Sequence, residues 1–387
     1  MAGVLIHDGR RSGQRKWSAE AVEAGRADGV IISPFATPRV SEPRHPSAGD
    51  VASAVRSVGG EVVFDPMTHA RFLPACNKVD FYDEWELWDG APAPLDTAAS
   101  RVSHVERVFQ RQDSLNAAHL APTLQLASPV AAEATHALAT ARVARGIDGD
   151  SWQSLVGTRA FWSSGTRLDA YVGSLVALRS PVWVLTVANE IVVDHVPDLT
   201  DVEAFSGLCR TVHSLSIRSR VIVAHADFSG LPAIAAGADT LGSGWDRGQR
   251  TFDPLSFHVD SDPGIRIPAS YVTQGGLQSI LRRDTAQAIE RWNSARALAL
   301  RGGPMPPSDA AQRMHHLGRL REAVLAVGAS ALRADRVAEL RRRYAVSGSA
   351  YDDLVAALRP TVRLSDKEAW NIRPSQVLER YAAGEGF

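Results

Sequence analysis

The sequence has few cysteines and few lysines. Its 387 residues include two cysteines, Cys76 and Cys209, which lie far apart and form neither a CxxC pair nor a Cys/His zinc spacing. A disulfide framework is therefore excluded, and we expect two reduced thiols in a reducing compartment. The basic residues are almost all arginine, because only Lys16, Lys78 and Lys367 are lysines. Arginine is well suited to gripping phosphate, so this bias permits an anion site without indicating one.

Long apolar runs and targeting signals are also missing. The first apolar run covers only residues 3–6, which is too short for a secretory signal, and residues 181–196 are interrupted by Asn189, Glu190 and Asp194. The formal net charge of −1 predicts no overall electrostatic attraction of the molecule to nucleic acid or membranes. We expect a cytoplasmic protein with no membrane partner.

Familiar cofactor and catalytic motifs are absent. The sequence contains no GxGxxG after the first strand-like run, no Walker motif, no G-x-S-x-G elbow, no HxH, no HExxH and no Asp-rich calcium loop. These absences exclude phosphate-loop NTPases and α/β-hydrolases. We predict no cofactor and no bound metal, although His7, His69, His225 and two carboxylates could still assemble a metal site by proximity.

Short β-branched runs alternate with helical patterns along most of the chain. This alternation indicates βα units and a parallel sheet. Eight such units in about 300 residues favour a closed (β/α)8 barrel over an open doubly wound sheet. The predicted strands cover residues 4–6, 29–32, 61–64, 120–126, part of 153–162, 182–187, 221–224 and 239–241.

The pattern changes after the eighth strand. Residues 278–300 read as one long helix that closes the barrel, and the Gly and Pro residues at 302–307 form a clear break. Residues 309–327 and 331–344 read as two further helices. We predict a (β/α)8 TIM-type barrel over residues 1–302 and a helical C-terminal extension over residues 303–387.

Ionisable side chains follow most of the predicted strands, where a barrel places its active-site mouth. Convergent carboxylates, imidazoles and guanidinium groups suit acid–base chemistry and anion binding, although polar residues can also simply mark where strands end. Glu190 stands out, because a carboxylate at the end of a buried strand is costly unless it is paired or solvated at a mouth. The predicted catalytic residues are Asp65, Glu190, His225, Asp227 and His69.

A second group of residues suggests an anion site. Small residues after the last strand would let backbone amides approach a phosphate, and barrels often bind phosphate near strands seven and eight. A flexible glycine turn is the alternative interpretation. The predicted substrate- or phosphate-binding residues are His7, Asp8, Arg10, Arg39, Ser229, Gly230, Gly242, Ser243, Gly244, Asp246 and Arg247.

An aromatic stretch over residues 81–88 follows the third strand. It contains Phe81, Tyr82, Trp85 and Trp88. It could serve as a lid or as a platform that stacks a planar ring. We favour the simpler interpretation, in which these aromatic side chains pack their own loop on the barrel rim.

Two segments resemble the tRNA-guanine transglycosylase family, which is also built on a (β/α)8 barrel. Asp65 follows the third strand, where that family has a catalytic aspartate, and residues 237–241 resemble the segment before the family's nucleophile. The sequence departs from the family in three ways: Gly242 stands at the nucleophile's place with Asp246 as the nearest carboxylate, residues 66–69 lack the glycine-rich signature, and the zinc site is absent. The resemblance implies modification of a base in DNA or RNA.

Three functional hypotheses follow. The first is a metal-independent enzyme, a transferase or hydrolase, that acts on a polar small molecule bearing a phosphate or a nucleobase, by acid–base chemistry. The second is the base-modifying enzyme that the resemblance implies, with nucleic acid as its partner. The third is a catalytically silent barrel that holds a protein partner through its C-terminal helices and aromatic loop.

Overall fold

The computed structural model describes residues 3–9, 13–79, 81–189, 198–258 and 270–387. Eight parallel strands form its central sheet, and an antiparallel hairpin follows them. In chain order the strands are β1 (Gly3–His7), β2 (Gly29–Ile32), β3 (Glu61–Phe64), β4 (Gln125–Leu126), β5 (Gln153–Thr158), β6 (Val182–Ala188), β7 (Arg220–Val223) and β8 (Thr240–Ser243), and the hairpin is β9 (Tyr271–Gln274) with β10 (Ser279–Arg282).

Helices follow most of the strands. Ser47 caps the second helix, where its side chain accepts the N–H of Asp50. The helices are α1 (Gln14–Glu23), α2 (Ala48–Ser57), α3 (Thr68–Arg71), α4 (Ala98–Ser114), α5 (Ala132–Ile147), α6 (Arg159–Trp162), α7 (Thr166–Val176), α8 (Val202–Leu215), α9 (Leu231–Ala236), α10 (Arg247–Arg250), α11 (Arg283–Trp292), α12 (Ser294–Arg301), α13 (Asp309–Val327), α14 (Arg333–Leu358), α15 (Leu364–Lys367) and α16 (Arg373–Glu385).

The sheet order β3-β2-β1-β8-β7-β6-β5-β4 makes β3 and β4 its edges, and a side chain joins β3 to the segment before β4. Gln112 of α4 is fully buried, and its Nε2 donates to the carbonyl oxygens of Phe64 (3.0 Å) and Leu120 (2.9 Å). Its Oε1 accepts the N–H of Leu120 (3.1 Å). One amide thus satisfies backbone groups that a strand-to-strand ladder would otherwise pair.

A salt bridge spans the barrel at the opposite end from the mouth. Arg220 at the start of β7 forms a bidentate pair with Glu61 at the start of β3, with N–O distances of 2.6 and 2.7 Å. The guanidinium also lies 5.9 Å from the centre of the Trp152 ring. Because β3 and β7 are four strands apart in the sheet order, this contact requires the sheet to be curled.

Apolar side chains fill the interior between the two ends. Bulky branched residues dominate, as is usual for barrels of this type. The predicted class, an α/β barrel of the TIM type with a helical C-terminal extension, is confirmed. The interior residues are Leu5, Ile31, Val63, Leu120, Val182, Val184, Ile222 and Ala224.

The strand predictions are largely confirmed. The predicted runs at 29–32 and 61–64 coincide with β2 and β3. The strand that was predicted only as part of residues 153–162 is β5. The fourth strand is shorter than predicted, because Pro122 has no N–H to give a ladder. The first helix, α1, begins at Gln14, and Ser18 is buried within it, where its Oγ accepts from the side chain of Gln14.

The single closing helix predicted over residues 278–300 is wrong. The hairpin strand β10 occupies its start, and Asn293, with an extended backbone (φ −156°, ψ 100°), separates α11 from α12 and caps α12. Helix α13 packs on β1, α1 and α9, so it covers the sheet where β1 pairs with β8. The division of the chain at residue 302 stays a prediction, and residues on both sides of it share one apolar core.

Of the helices that the structure describes, none combines the length and the apolar character that crossing a lipid bilayer requires.

We predict that Gln112→Met lowers the free energy of unfolding by about 2–4 kcal/mol. The thioether cannot replace the amide, so two carbonyls and one N–H lose their partner in a dry interior. The measurement is urea-induced unfolding followed by circular dichroism. Gln110→Met, at an exposed position of the same helix, is the control and is expected to change the stability by less than about 0.5 kcal/mol.

Candidate functional site

A cavity of about 320 Å³ opens at the C-terminal end of the barrel strands. This is the end where barrel enzymes carry their active sites. Its walls come from the ends of β1 and β7, the loops after β2 and β3, and the segment around α10. The polar residues that line it are His7, Asp8, Ser33, Lys78, His225, Asp246, Gln249 and Ser256.

Two histidines are stacked at the cavity wall. The ring centres of His7 and His225 are 3.8 Å apart, with 19° between the ring planes. The backbone N–H of His225 donates to Nε2 of His7 (3.0 Å), so neutral His7 carries its proton on Nδ1. Nδ1 of His225 donates to the carbonyl oxygen of Gly248 (2.9 Å), which leaves Nε2 of His225 as an acceptor.

Both stacked histidines are neutral at physiological pH. Burial, reinforced by the neighbouring His225, holds the pKa of His7 well below its usual value. Burial lowers the pKa of His225 to about 4, although its hydrogen bond to Gly248 opposes the shift. Two like charges on stacked rings would repel each other in a region with little water, so this contact favours the uncharged forms.

The backbone of His225 is in the left-handed region, with φ of 51°. Few residues other than glycine adopt this conformation, and it costs about 1 kcal/mol or more. It accompanies both the stacking on His7 and the hydrogen bond to Gly248. Met67, which also lines the cavity, has φ of 44°. Strained non-glycine residues often cluster where function requires a fixed geometry.

Asp8 brings a carboxyl group to the cavity. Its Oδ2 accepts the N–H of Ser33 and the hydroxyl of Thr37, both at 2.7 Å, so a proton on this group is carried by Oδ1. Burial raises the pKa of Asp8 to about 7, against the lowering effect of these hydrogen bonds. Asp65 adds to the increase through like-charge repulsion. The carboxyl group is therefore poised between its two forms at neutral pH.

Asp65 and His69 lie behind this wall. Oδ1 of Asp65 accepts the N–H of Met67 (2.8 Å), and burial raises the pKa of Asp65 to about 6. Burial lowers the pKa of His69 to about 3, and His225 lowers it further. Nε2 of His69 is buried and accepts no hydrogen bond from the described part of the chain. The predicted catalytic residues Asp65, His69 and His225 thus come together with His7 and Asp8.

A glutamine holds the mouth together. Nε2 of Gln249 donates to the carbonyl oxygen of His7 (2.6 Å), and its Oε1 accepts the N–H of Asp246 (2.9 Å). This side chain therefore links the end of β1 to the turn after β8. Asp246 lines the cavity and also caps α10 through a reciprocal pair with Gln249.

The predicted phosphate cradle has a different structure. Gly242 and Ser243 belong to β8, where they pair with Leu5 and Ile6 of β1, so no open turn is available for an anion. Gly242 is needed for packing: a Cβ atom there would lie 2.7 Å from Nε2 of His7. The same atom on Gly244 would collide with the side chain of Gln249.

Ser229 and Gly230 do not line the cavity at Asp8, although His225 borders both cavities. They line a small cavity of about 40 Å³ whose other walls are mostly apolar. Gly230 is buried, and a Cβ atom there would be 3.0 Å from Leu241 and from Ala226. The helix that follows them is α9, which has only six residues. These residues therefore do not line the cavity that holds Asp8.

Three other predicted site residues form ion pairs and do not line the cavity. Asp227 is buried, accepts the N–H of Ser229 and pairs with buried Arg250 at 3.4 Å. Arg247 pairs with Asp253 at 2.6 Å. Arg39 is exposed and lies 3.6 Å from Glu86. Their charges are therefore balanced by the protein. Glu190 and Arg10 lie outside the described residues.

Some residues at the cavity were not among those predicted from the sequence. Lys78 lines the cavity and approaches the carbonyl oxygen of Ser256 (3.4 Å between Nζ and O). It lies in the long excursion after β3, and its being one of three lysines in an arginine-rich chain was the available signal. Ser33, Thr37 and Gln249 act through hydrogen bonds that no local pattern encodes.

The aromatic stretch packs its own loop, as the simpler interpretation predicted. Tyr82 and Trp85 are each 1% exposed, and Nε1 of Trp85 donates to the carbonyl oxygen of Thr37 (3.1 Å). The Trp85 ring also lies 4.5 Å from that of Phe64. The stretch therefore supports the loop after β2, which carries the Thr37 hydroxyl to Asp8.

Within the described residues, no group of three or more His, Cys, Asp or Glu side chains has the geometry to hold a metal ion. The hydrogen bonds of the stacked histidines explain part of this. Nε2 of His7 and Nδ1 of His225 are both occupied by backbone groups.

No family model and no curated protein sequence matches the chain. One similar solved structure is the carboxyl transferase domain from Rhizobium etli pyruvate carboxylase with pyruvate, at 10% identity and a TM-score of 0.34; the alignment covers 98% of this chain and 61% of that one. Another is a probable tagatose 6 phosphate kinase from Sinorhizobium meliloti 1021, at 13% identity and a TM-score of 0.31, covering 99% of this chain and 98% of that one. Similarities at this level do not inform the function.

We predict that the stability difference between the wild type and Asp8→Asn depends on pH. Burial raises the pKa of Asp8 from 3.8 to about 7, so between these values the folded protein keeps a proton that the unfolded chain has lost. The wild type should therefore lose stability relative to Asp8→Asn as pH rises from about 4 to about 7, by at most about 4 kcal/mol. Urea unfolding at pH 4.5 to 8 measures this. Asp96→Asn, at an exposed position, should show no such slope, and an equally flat Asp8→Asn difference would contradict the assignment.

Proposed function

We propose that the protein is an enzyme that moves protons on a small polar substrate bound in the barrel mouth. The observation that carries this proposal is the convergence of Asp8, His225 and Lys78 on one cavity at the end of the barrel where catalysis is usual. A volume of about 320 Å³ suits a small metabolite. Asp8 replaces Asp65 and Glu190 as the principal acid–base group of the proposal.

Asp8 has the properties of a general acid or base. A catalytic group works best when its pKa is near the operating pH, because both protonation states are then accessible. Burial brings the pKa of Asp8 to about 7. Two donors hold Oδ2, so Oδ1 is the atom that gives and takes the proton. Like-charge repulsion from Asp65 adds a smaller increase to the pKa of Asp8 than burial does.

The other two side chains bind and orient. Nε2 of neutral His225 is an acceptor and suits a hydroxyl group of the substrate. Among the described residues that line the cavity, Lys78 is the one with a positive charge, so it suits one carboxylate or phosphate group. Together these features favour a small hydroxy or carbonyl compound with one anionic group, and a reaction such as enolisation or dehydration.

The test is deuterium exchange in D2O, followed by proton NMR, on a panel of sugar phosphates, hydroxy acids, keto acids and nucleosides. Proton transfer to carbon is expected to replace hydrogen by deuterium in at least one compound. Asp8→Asn should slow that exchange by about 10²–10⁴-fold, the usual contribution of general acid–base catalysis. Asp96→Asn is the matched control. Exchange that persists in Asp8→Asn would remove Asp8 from the mechanism, and exchange confined to nucleosides would favour the transglycosylase-like hypothesis.

Thr37→Val gives a sharper test of the same assignment. The lost hydroxyl stabilises ionised Asp8, so its removal should raise the pKa of Asp8 and move the corresponding limb of the kcat/KM profile upwards by about one pH unit. Thr166→Val, at an exposed threonine, should leave the profile in place. A limb that stays at the same pH in Thr37→Val would show that another group titrates.

A further inference from the structure

A second, larger cavity lies at the opposite end of the barrel from the mouth. It is a groove of about 620 Å³ at the N-terminal ends of β7 and β8, bordered by the first turn of α14. Residues 216–220 and the turn at Gly237 form one side, and Arg333 and Arg336 form the other. None of the residues that line this groove also lines the cavity at Asp8.

Arginines dominate the charge of the groove. Arg218, Arg220, Arg333 and Arg336 line it, together with one carboxylate, Asp239. The charge of Arg220 is balanced by its bidentate pair with Glu61. Three guanidinium groups therefore face a single carboxylate, and that carboxylate also accepts the N–H of Val221 (3.1 Å).

The hydrogen-bond acceptors that hold Arg333 and Arg336 are uncharged groups. Arg333 donates to Ser216 Oγ (3.0 Å) and to the carbonyl oxygen of His213 (3.2 Å). Arg336 donates to the carbonyl oxygens of Ser330 (2.6 Å) and Ile234 (3.3 Å). These bonds fix the two side chains without neutralising them, which lowers the cost of ordering them around a ligand.

Arg218 differs from its neighbours. It is exposed, and its side chain makes no hydrogen bond or ion pair with the described part of the chain. Its backbone N–H donates to the carbonyl oxygen of Leu215 (3.3 Å). The nearby Glu385 lies 3.5 Å from Nδ1 of His213 and does not line the groove. The apolar side chain of Ile217, 65% exposed, also lines the groove.

The groove is kept open by a glycine. Gly237 has φ of 121°, and a Cβ atom there would collide with Ser216 and crowd Arg333. Any side chain at this position would therefore displace Ser216, which accepts a hydrogen bond from Arg333, and would crowd the Arg333 guanidinium. The shape and the positive charge of the groove depend on the same turn.

We propose that this groove is a second ligand site, which binds a small molecule through a diphosphate group. Guanidinium groups match phosphate oxygens in pairs, and three of them exceed what a single phosphate needs. The volume leaves room beyond the two phosphates for a further part of the ligand, which would contact Ile217. This proposal does not depend on the chemistry at Asp8, because the two cavities lie at opposite ends of the barrel.

The test is isothermal titration calorimetry of the full-length protein with inorganic pyrophosphate, inorganic phosphate and ADP at constant ionic strength. Pyrophosphate and ADP should bind the wild type, and phosphate should bind at least about tenfold more weakly. Arg218→Gln should weaken pyrophosphate binding about tenfold, the loss of one charge-assisted hydrogen bond, and Arg218→Glu should weaken it more. The exposed Arg218 side chain makes no hydrogen bond or ion pair with the described residues, so both variants are expected to fold normally.

Three controls make the result specific. Arg142→Gln and Arg142→Glu, at an exposed arginine of α5, change the net charge equally and should leave the affinity unchanged. Asp8→Asn should also leave it unchanged, since an effect there would place the anion in the mouth and overturn the proposal. The proposal is equally overturned if the wild type binds neither pyrophosphate nor ADP, if phosphate binds as tightly, or if Arg218 and Arg142 variants behave alike.

Discussion

A dry barrel interior cannot hold an unbalanced charge, and this constraint organises both ends of the molecule. At the N-terminal end the solution is pairing: Arg220 reaches across to Glu61, and the two charges cancel. At the C-terminal end, burial instead shifts the pKa values of the ionisable groups towards their uncharged forms. Burial raises the pKa of Asp8 to about 7, so at neutral pH this carboxyl is neutral in part of the molecules. Burial lowers the pKa of His225 to about 4, so the ring is uncharged at neutral pH. The end where burial removes charge by shifting pKa values is also the end where we propose that protons are exchanged with a substrate.

The same constraint explains where positive charge is available to a ligand. Arg247 and buried Arg250 are paired with Asp253 and Asp227 close to the mouth. At the groove near the N-terminal ends of β7 and β8, Arg333 and Arg336 are held by carbonyl and hydroxyl oxygens. These acceptors position a guanidinium without cancelling its charge. An arginine-rich composition therefore says little about anion binding until the partners of each arginine are known.

Supporting contacts come from outside the strands. The loop that carries Thr37 is held by buried Trp85, and Gln249 joins the turn after β8 to His7. Gln112 closes the gap between β3 and the segment before β4. Each of these side chains reaches at least one residue 48 or more positions away in sequence, and each places a backbone group or side chain at the mouth or beneath it. The site is thus a product of barrel closure.

The sequence by itself determined the strands, the barrel class and the end of the barrel where polar side chains gather, because these depend on local alternation of apolar residues. It also identified His7, Asp8, Asp65 and His225, since each is the last residue of a strand or lies within two residues of its end. Only the tertiary structure decided which of the polar residues meet. Asp227 and Asp8 both come directly after strands or close to them, yet one is paired with Arg250 and the other titrates near neutral pH. That difference arises from burial and from partners distant in the chain, which a linear pattern does not contain.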